Sequence, residues 1–224
     1  MTDLLERLAR LDTCAVSDAL DSLGLPGATT GVRPLWPAKR TVVGVVRTVT
    51  AGQKADGGPA AHIAAGAIDV ASSGDVIVVA NGGRLDVSCW GGILTRAARM
   101  RGIAGVVIDG ACRDIGEGQQ LDFPVFGRAV VPVSARGRIV QLASGEPIEF
   151  AGVRVEQGDL VVADSNGVVF VPAGRAAEVI AFAERVVARE ELMVAAVLRG
   201  EPVSAVMHDT QFPAPEPLTE GGDG

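Results

Sequence analysis

Short apolar runs cut off by glycine turns set the strongest limit on how this chain folds. "GDVIVVANGG" (74–83) and "GDLVVADSNG" (158–167) share one plan: a Gly-Asp turn, an apolar run and an Asn-Gly exit. Runs of this length, rich in valine and isoleucine and bounded by turns, read as strands. One echo at this distance is no solenoid repeat. It is the same turn–strand–turn unit used twice in a β-rich core. "TVVGVVRTVT" (41–50), "FPVFGRAVVPV" (123–133) and "GVVFVP" (167–172) read as further strands, and "AGVVID" (104–109) as a buried one.

Helical patterns separate these runs. Leu4, Leu5, Leu8 and Leu11 recur at helical spacing, with Thr2 as N-cap. In 13–24, Val16, Ala19, Leu20 and Leu23 form an apolar stripe that Gly24 stops. The stretch 60–71 is helical in pattern despite Gly66, and leads to a turn at Gly74 and Asp75. In 91–101, Ile93, Leu94, Ala97, Ala98 and Met100 suit a helix packed on a sheet, forming with 104–109 a helix–strand unit that ends at Asp109 and Gly110. A long helix from about 175 to 199 closes the domain, while 26–37 reads as loop. The fold class is therefore α/β, a compact β core flanked by helices in a single domain over 1–208. The remainder, 209–224, is rich in Pro, Gly and acid and is predicted to be disordered.

Composition narrows the function classes. A net charge of −7 disfavours a nucleic-acid partner, because phosphate binding relies on a basic face. Cys14, Cys89 and Cys112 are widely spaced with no CxxC pair, which argues against a disulfide framework or a zinc knuckle. No stretch approaches the ~20 apolar residues that span a bilayer. The first residues lack the pattern of a signal peptide, so a soluble cytoplasmic protein without membrane partners is the default.

Two motifs have chemical content. In "WGGIL" (90–94), Gly91 and Gly92 open a helix whose first-turn N–H groups have no intrahelical partners, so a carboxylate or phosphate can be received there. Taken alone, the pair reads as a tight strand-to-helix connection. "DGACRDIGE" (109–117) sets Arg113 beside Asp114 just past an apolar run. Arginine is shaped to hold a carboxylate bidentately, and a lone aspartate with waters suits Mg²⁺. Spacing alone favours a structural ion pair. Cys112 beside Arg113 has the setting of a lowered pKa, although no histidine base lies nearby in sequence. His62 reads as a packed or surface histidine, His208 as solvent-exposed, Asp164 as a turn residue, and Glu190 and Glu191 as solvated helix charges.

Together "VSDALDSLG" (16–24), "WGGIL…AARMRGIAGVVIDGACRD" (90–114) and "GDLVVADSNGVVFVP" (158–172) resemble, in that order, one known family. It is the RraA-like family, which includes 4-hydroxy-4-methyl-2-oxoglutarate aldolases and regulators of ribonuclease E activity. The resemblance covers about 12–200, and 105–114 is its most specific part. It implies a compact swivelling β/β/α-type domain with flanking helices, assembled as a homotrimer or hexamer with active sites between subunits. It also implies that Arg113 contacts the pyruvoyl part of a small 2-oxo acid and that Asp114 ligates Mg²⁺ or Mn²⁺. The amides around Ile93 and Leu94, in the turn that starts at Gly91 and Gly92, would receive the substrate carboxylate. A glutamate of a neighbouring subunit's last helix would complete the site, with Glu190 the choice and Glu191 close behind.

The implied activity is a metal-dependent lyase. Cleaving the C3–C4 bond of a 4-hydroxy-2-oxo acid, or decarboxylating oxaloacetate, leaves the same pyruvate enolate. No Schiff-base lysine is required, and the two lysines, Lys39 and Lys54, lie outside these motifs. One departure stands out. Aldolases of the family commonly carry an acidic residue where this chain has Gly92, so a proton-handling carboxylate is missing there and decarboxylation should suffer less than aldol cleavage. The reading from another class is a non-catalytic regulator that binds a ribonuclease or RNA helicase.

Overall fold

The apolar runs pair into one nine-stranded mixed sheet in a computed structural model that describes residues 1–37, 40–54, 61–208 and 210–215. In chain order, helices α1 (Thr2–Leu8) and α2 (Thr13–Ser22) precede strands β1 (Arg33–Pro34) and β2 (Val42–Gln53). Helix α3 (Ala65–Val70), strand β3 (Val76–Ser88), helix α4 (Gly92–Met100), strand β4 (Gly105–Cys112) and helix α5 (Ile115–Gln120) come next. Then follow β5 (Val125–Gly127), β6 (Ala129–Val130), β7 (Ile139–Ser144), β8 (Ile148–Phe150) and β9 (Val153–Val155). Strands β10 (Leu160–Ala163) and β11 (Val168–Val171) lead into α6 (Ala176–Leu198) and α7 (Val203–Val206).

The strand order is β1-β5-β4-β3-β2-β10-β11, with β6 beside β4 and β7 beside β2. Strands β2, β3, β4 and β5 are parallel neighbours connected through α3, α4 and α5, whereas β7 and β10 run antiparallel to β2. All eight residues of β4 are buried, as a parallel strand covered on both faces requires. Val106 and Ile108 pack with Trp90 and Phe123 on one face, and Val107 packs with Phe126 and Phe150 on the other. A third cluster seats α2 and α6 on β10 and β11 through Leu20, Leu160, Val162, Val179 and Phe182. Each such fully buried side chain contributes ~1.5–3 kcal/mol. The expected α/β class and β core with flanking helices are what the structure shows.

Several local expectations change. Thr2 lies inside α1, with Met1 at the N-cap and no side-chain capping bond. The helix expected over 60–71 shrinks to α3, because Ala64 takes a left-handed conformation (φ 62°) that blocks an earlier start; residue 60 lies outside the described residues. Strand β3 does not exit at Asn-Gly. It continues to Ser88 through an irregularity between Ala80 and Arg84, where Gly82 and Gly83 have φ of 60° and 70°. Strand β4 runs past Asp109 and Gly110 to Cys112. The predicted loop 26–37 contains β1, which pairs with β5. Asp164 is more than a turn residue: it is buried, and its carboxylate accepts bonds from Thr13 N (2.9 Å), Thr13 Oγ1 (2.7 Å) and Asn166 N (2.8 Å).

The segment 210–215, at the head of the acidic tail, lies by α6, where Phe212 packs against Met193, Ala196 and Val206. Residues 209 and 216–224 of that tail, and Lys39, lie outside the described residues. No helix among the described residues is long and apolar enough to cross a membrane.

Candidate active site

Strands β3 and β4 leave the sheet side by side, and their exits are locked together by backbone bonds. Cys89 N donates to Ala111 O and Arg113 N donates to Trp90 O, each at 3.0 Å. Trp90 fixes the turn that follows. Its ring is buried and stacks on Phe123 (centroids 6.4 Å apart, planes 3° apart), and its Nε1 donates to Thr95 Oγ1 at 2.9 Å. Thr95 Oγ1 in turn donates to Gly91 O at 3.2 Å. The start of α4 is therefore held from inside the core.

That start is open to a ligand. Gly91 is the N-cap and has no side chain to offer, while the Gly92 N–H donates to Asp114 Oδ2 at 2.9 Å. The amides of Ile93 and Leu94 belong to the first turn, where no intrahelical acceptor exists and the helix dipole favours negative charge. A Cβ on Gly91 would lie 2.9 Å from Asp114 Oδ2 and 3.2 Å from Arg113 Nε, so the close approach of these groups requires glycine.

Consecutive strand residues point to opposite faces, yet Arg113 and Asp114 come together. The cause is Asp114 itself, whose backbone is left-handed (φ 58°, ψ 34°). That conformation costs ~1–2 kcal/mol in an L-residue and is tolerated best by Asn and Asp. It brings Asp114 Oδ2 to 3.4 Å from Arg113 Nε, with side chains 40% and 41% exposed. A contact this long and this wet is worth at most ~1 kcal/mol. That is no more than the left-handed backbone costs, so the pair alone does not offset the strain.

Both residues line a cleft of about 800 Å³ together with Trp90, Gly91, Gly92, Ile93 and Leu94. His62 and Ile63, ahead of α3, and the loop at 134–137, ahead of β7, line it as well. Ser88 ties that loop to the end of β3, with Oγ donating to Val133 O at 2.7 Å. His62 is exposed, as a surface histidine should be, and His208 is exposed beside Thr210.

Asp114 suits a hard cation. Its Oδ2 takes the Gly92 amide, and among the described residues Oδ1 has no protein donor. The described residues contain no group of three or more His, Cys, Asp or Glu able to hold a metal. One carboxylate in a wet cleft fits Mg²⁺ or Mn²⁺, which keep much of their water shell, and not a structural zinc cage. The lowered pKa that Arg113 suggested for Cys112 is not found. Burial, with Asp114 adding to it, pushes Cys112 up to about 12, and burial pushes Cys89 up as well, so neither offers a thiolate. Glu190 and Glu191 are exposed on α6 and do not line the cleft.

Glu117 escaped the sequence reading. A Cβ on Gly92 would fall 2.6–2.7 Å from its three carboxyl atoms, so that carboxylate fills the space a side chain at 92 would take. Arg96 Nε donates to Glu117 Oε2 at 2.7 Å. The Glu117 carboxylate is thus packed directly against Gly92. A signal existed, since Asp114 and Glu117 have capping-box spacing. It would have misled, because Asp114 makes no side-chain cap bond.

A mixed α/β domain with an arginine, a carboxylate and an open helix start at one cleft defines an anion-receptive α/β protein. A family model described as RraA-like, "Aldolase/RraA", matches residues 13–170, and the chain belongs to that family. It is 36% identical over 190 residues to a Halalkalibacterium halodurans protein provisionally named a 4-hydroxy-4-methyl-2-oxoglutarate aldolase, covering 84% of this chain and 86% of that one. Protein DlpA of Legionella pneumophila is 30% identical over 215 residues, 96% of this chain, but the chain spans only 35% of that relative's length. A solved structure from Streptomyces coelicolor, described as an unusual member of the RNase ES inhibitor RraA protein family, shares the fold. Its TM-score is 0.77 at 28% identity, covering 86% of this chain and 96% of that one.

Proposed function

We propose that this chain is a divalent-metal-dependent carbon–carbon lyase acting on a small 2-oxo acid, by aldol cleavage of a 4-hydroxy-2-oxo acid, decarboxylation of oxaloacetate, or both. The observation that carries this reading is the meeting of Arg113 and Asp114 beside the open start of α4. The Ile93 and Leu94 amides receive the substrate carboxylate, and Arg113 donates to the keto oxygen. Asp114 holds Mg²⁺ or Mn²⁺, which when bound supplies electrophilic stabilisation of that oxygen. Either reaction sends an electron pair to C3 and leaves the pyruvate enolate. Charge develops on the oxygen beside Arg113, where a fixed cation lowers the barrier most.

The aldolase names of relatives support this reading. Among the described residues Asp114 is the only carboxylate lining the cleft, and in this reading the metal takes a further acid from a neighbouring subunit. In this reading Glu190 of a neighbouring subunit supplies it, with Glu191 next to it, in a homotrimer or hexamer. The enzyme is cytoplasmic and takes no nucleic-acid or membrane partner.

A second reading rests on the likeness to the Streptomyces coelicolor protein: a regulator that binds a ribonuclease or helicase through its acidic surface. Pyruvate release from oxaloacetate and from 4-hydroxy-4-methyl-2-oxoglutarate, with Mg²⁺ and with excess chelator, separates the two. Chelator-sensitive pyruvate supports the lyase. No pyruvate above the protein-free rate, together with inhibition of a ribonuclease by the same sample, supports the regulator.

A further inference from the structure

We propose that Glu117 is the proton-accepting carboxylate of this site. The inference rests on the lyase reading and adds a residue that nothing in the sequence motifs assigns.

The geometry comes from the packing of α5 against the start of α4. Helix α5 begins directly after Asp114, and Glu117 N donates to Asp114 O at 3.0 Å, which turns the Glu117 side chain towards the start of α4. Its carboxyl group then packs on the face of Gly92 where a Cβ would project, 2.6–2.7 Å from that position. Any side chain at 92 would have to displace it. Arg96, one helical turn after Gly92, fixes the carboxylate with a 2.7 Å bond to Oε2. The Glu117 side chain is 37% exposed, so water reaches it, and Gly92 in front of it lines the cleft. Asp114 and Glu117 therefore approach Gly92 separately, Asp114 through the Gly92 amide and Glu117 across its Cα.

Aldol cleavage of a 4-hydroxy-2-oxo acid needs a group to take the C4 hydroxyl proton. In the proposed step that proton passes through one water to Glu117 as the C3–C4 bond breaks. The O–H electron pair becomes the second bond of the departing carbonyl. The C3–C4 pair moves to C3 and is held as the enolate beside Arg113. The proton then returns to C3 and gives pyruvate, so no oxidant or reductant takes part. Asp114, which would hold the cation and already accepts the Gly92 amide, is not free for this work. Decarboxylation has no hydroxyl proton to remove and depends on Glu117 less.

The bland alternative is that Glu117 and Arg96 only brace α5 against α4. The test is a swap of the acid between the two positions. Glu117→Ala should lower the ratio of 4-hydroxy-4-methyl-2-oxoglutarate cleavage to oxaloacetate decarboxylation by roughly 10²-fold, the lower end of general acid–base effects. Gly92→Asp combined with Glu117→Ala restores a carboxylate in the same space and an i,i+4 pair with Arg96. This double variant should recover at least about ten-fold of the lost ratio. Thermal melts report the contact without any turnover. Gly92→Asp alone should lower the melting temperature, and less so once Glu117 is removed. If Glu117→Ala folds poorly, Glu117→Gln keeps the Arg96 bond and gives the same ratio. A folded Glu117→Gln with the parent ratio, or a double variant that recovers nothing, overturns the role. Parent protein that yields pyruvate from neither substrate overturns the lyase reading itself, and this role with it.

Discussion

Asp114 carries the most constraint per residue. Its left-handed backbone turns it to the side of Arg113, its Oδ2 holds the Gly92 amide, and its Oδ1 has no protein donor among the described residues. Asparagine tolerates the same backbone conformation and can accept the same amide bond, so Asp114→Asn should fold like the parent. It should bind Mn²⁺ more weakly by calorimetry and turn over roughly 10²-fold more slowly. Unchanged Mn²⁺ affinity in that variant removes Asp114 from the metal site. Cys89 gives a second residue-scale expectation. Burial raises its pKa above the ordinary 9.0, so the folded state holds its proton more tightly than the unfolded chain does. That contribution is fully present below pH 9.0 and is lost as pH rises above it. Melting curves of Cys89→Ala should therefore fall less steeply than the parent's above that pH. Arg113 and Asp114 were legible in sequence because charged residues closed an apolar run. What was not legible is that their convergence turns on one dihedral at 114. Glu117 was invisible for a different reason: its partner is Gly92 on another helix, and only the packing of α5 beside α4 brings them together.

At the scale of elements, the start of α4 is tied to the core through Thr95, whose hydroxyl accepts from buried Trp90 and donates to Gly91 O. Thr95→Val removes the acceptor of Trp90 Nε1 and leaves a donor unsatisfied in the core, a loss of ~1–3 kcal/mol. The melting temperature should drop, and activity should drop beyond what that loss of folded protein explains, because the turn at Gly91 loosens. A melt equal to the parent's would mean that Trp90 does not need this bond. Long apolar strands and the periodic helices α2, α4 and α6 could be read from pattern alone. The hairpin of β8 and β9 could not, although Ile148, Phe150, Val153 and Val155 are buried and alternate with exposed Glu149 and Arg154. Three residues per strand give alternation too little length to be distinguished from loop. Strand β3 outran its Asn-Gly signal because glycines with positive φ can absorb a register slip inside a strand as readily as they end one.

For the whole molecule, the question is which acid a neighbouring subunit brings to the site. The later half of α6 carries Glu190 and Glu191 together with Leu192, Val194 and Leu198, which are 59%, 57% and 82% exposed. Apolar side chains of this size left in water beside two carboxylates suit a helix that docks on a neighbouring subunit. Light scattering at micromolar concentration should give a mass of three or six chains, and a monomer would end the composite-site proposal. Mixed Arg113→Ala and Glu190→Ala subunits should regain part of the activity each lacks alone, because some interfaces then pair an intact Arg113 with an intact Glu190. Enolate formation underlies the expectations about turnover, and it can be observed without the natural substrate. Pyruvate incubated with the protein and Mg²⁺ in D₂O should exchange its methyl protons, followed by the loss of the methyl signal in NMR. Exchange should stop with chelator and in Arg113→Ala. A folded, Mg²⁺-supplied parent protein that leaves the methyl signal at the protein-free rate would contradict an enolate-forming site.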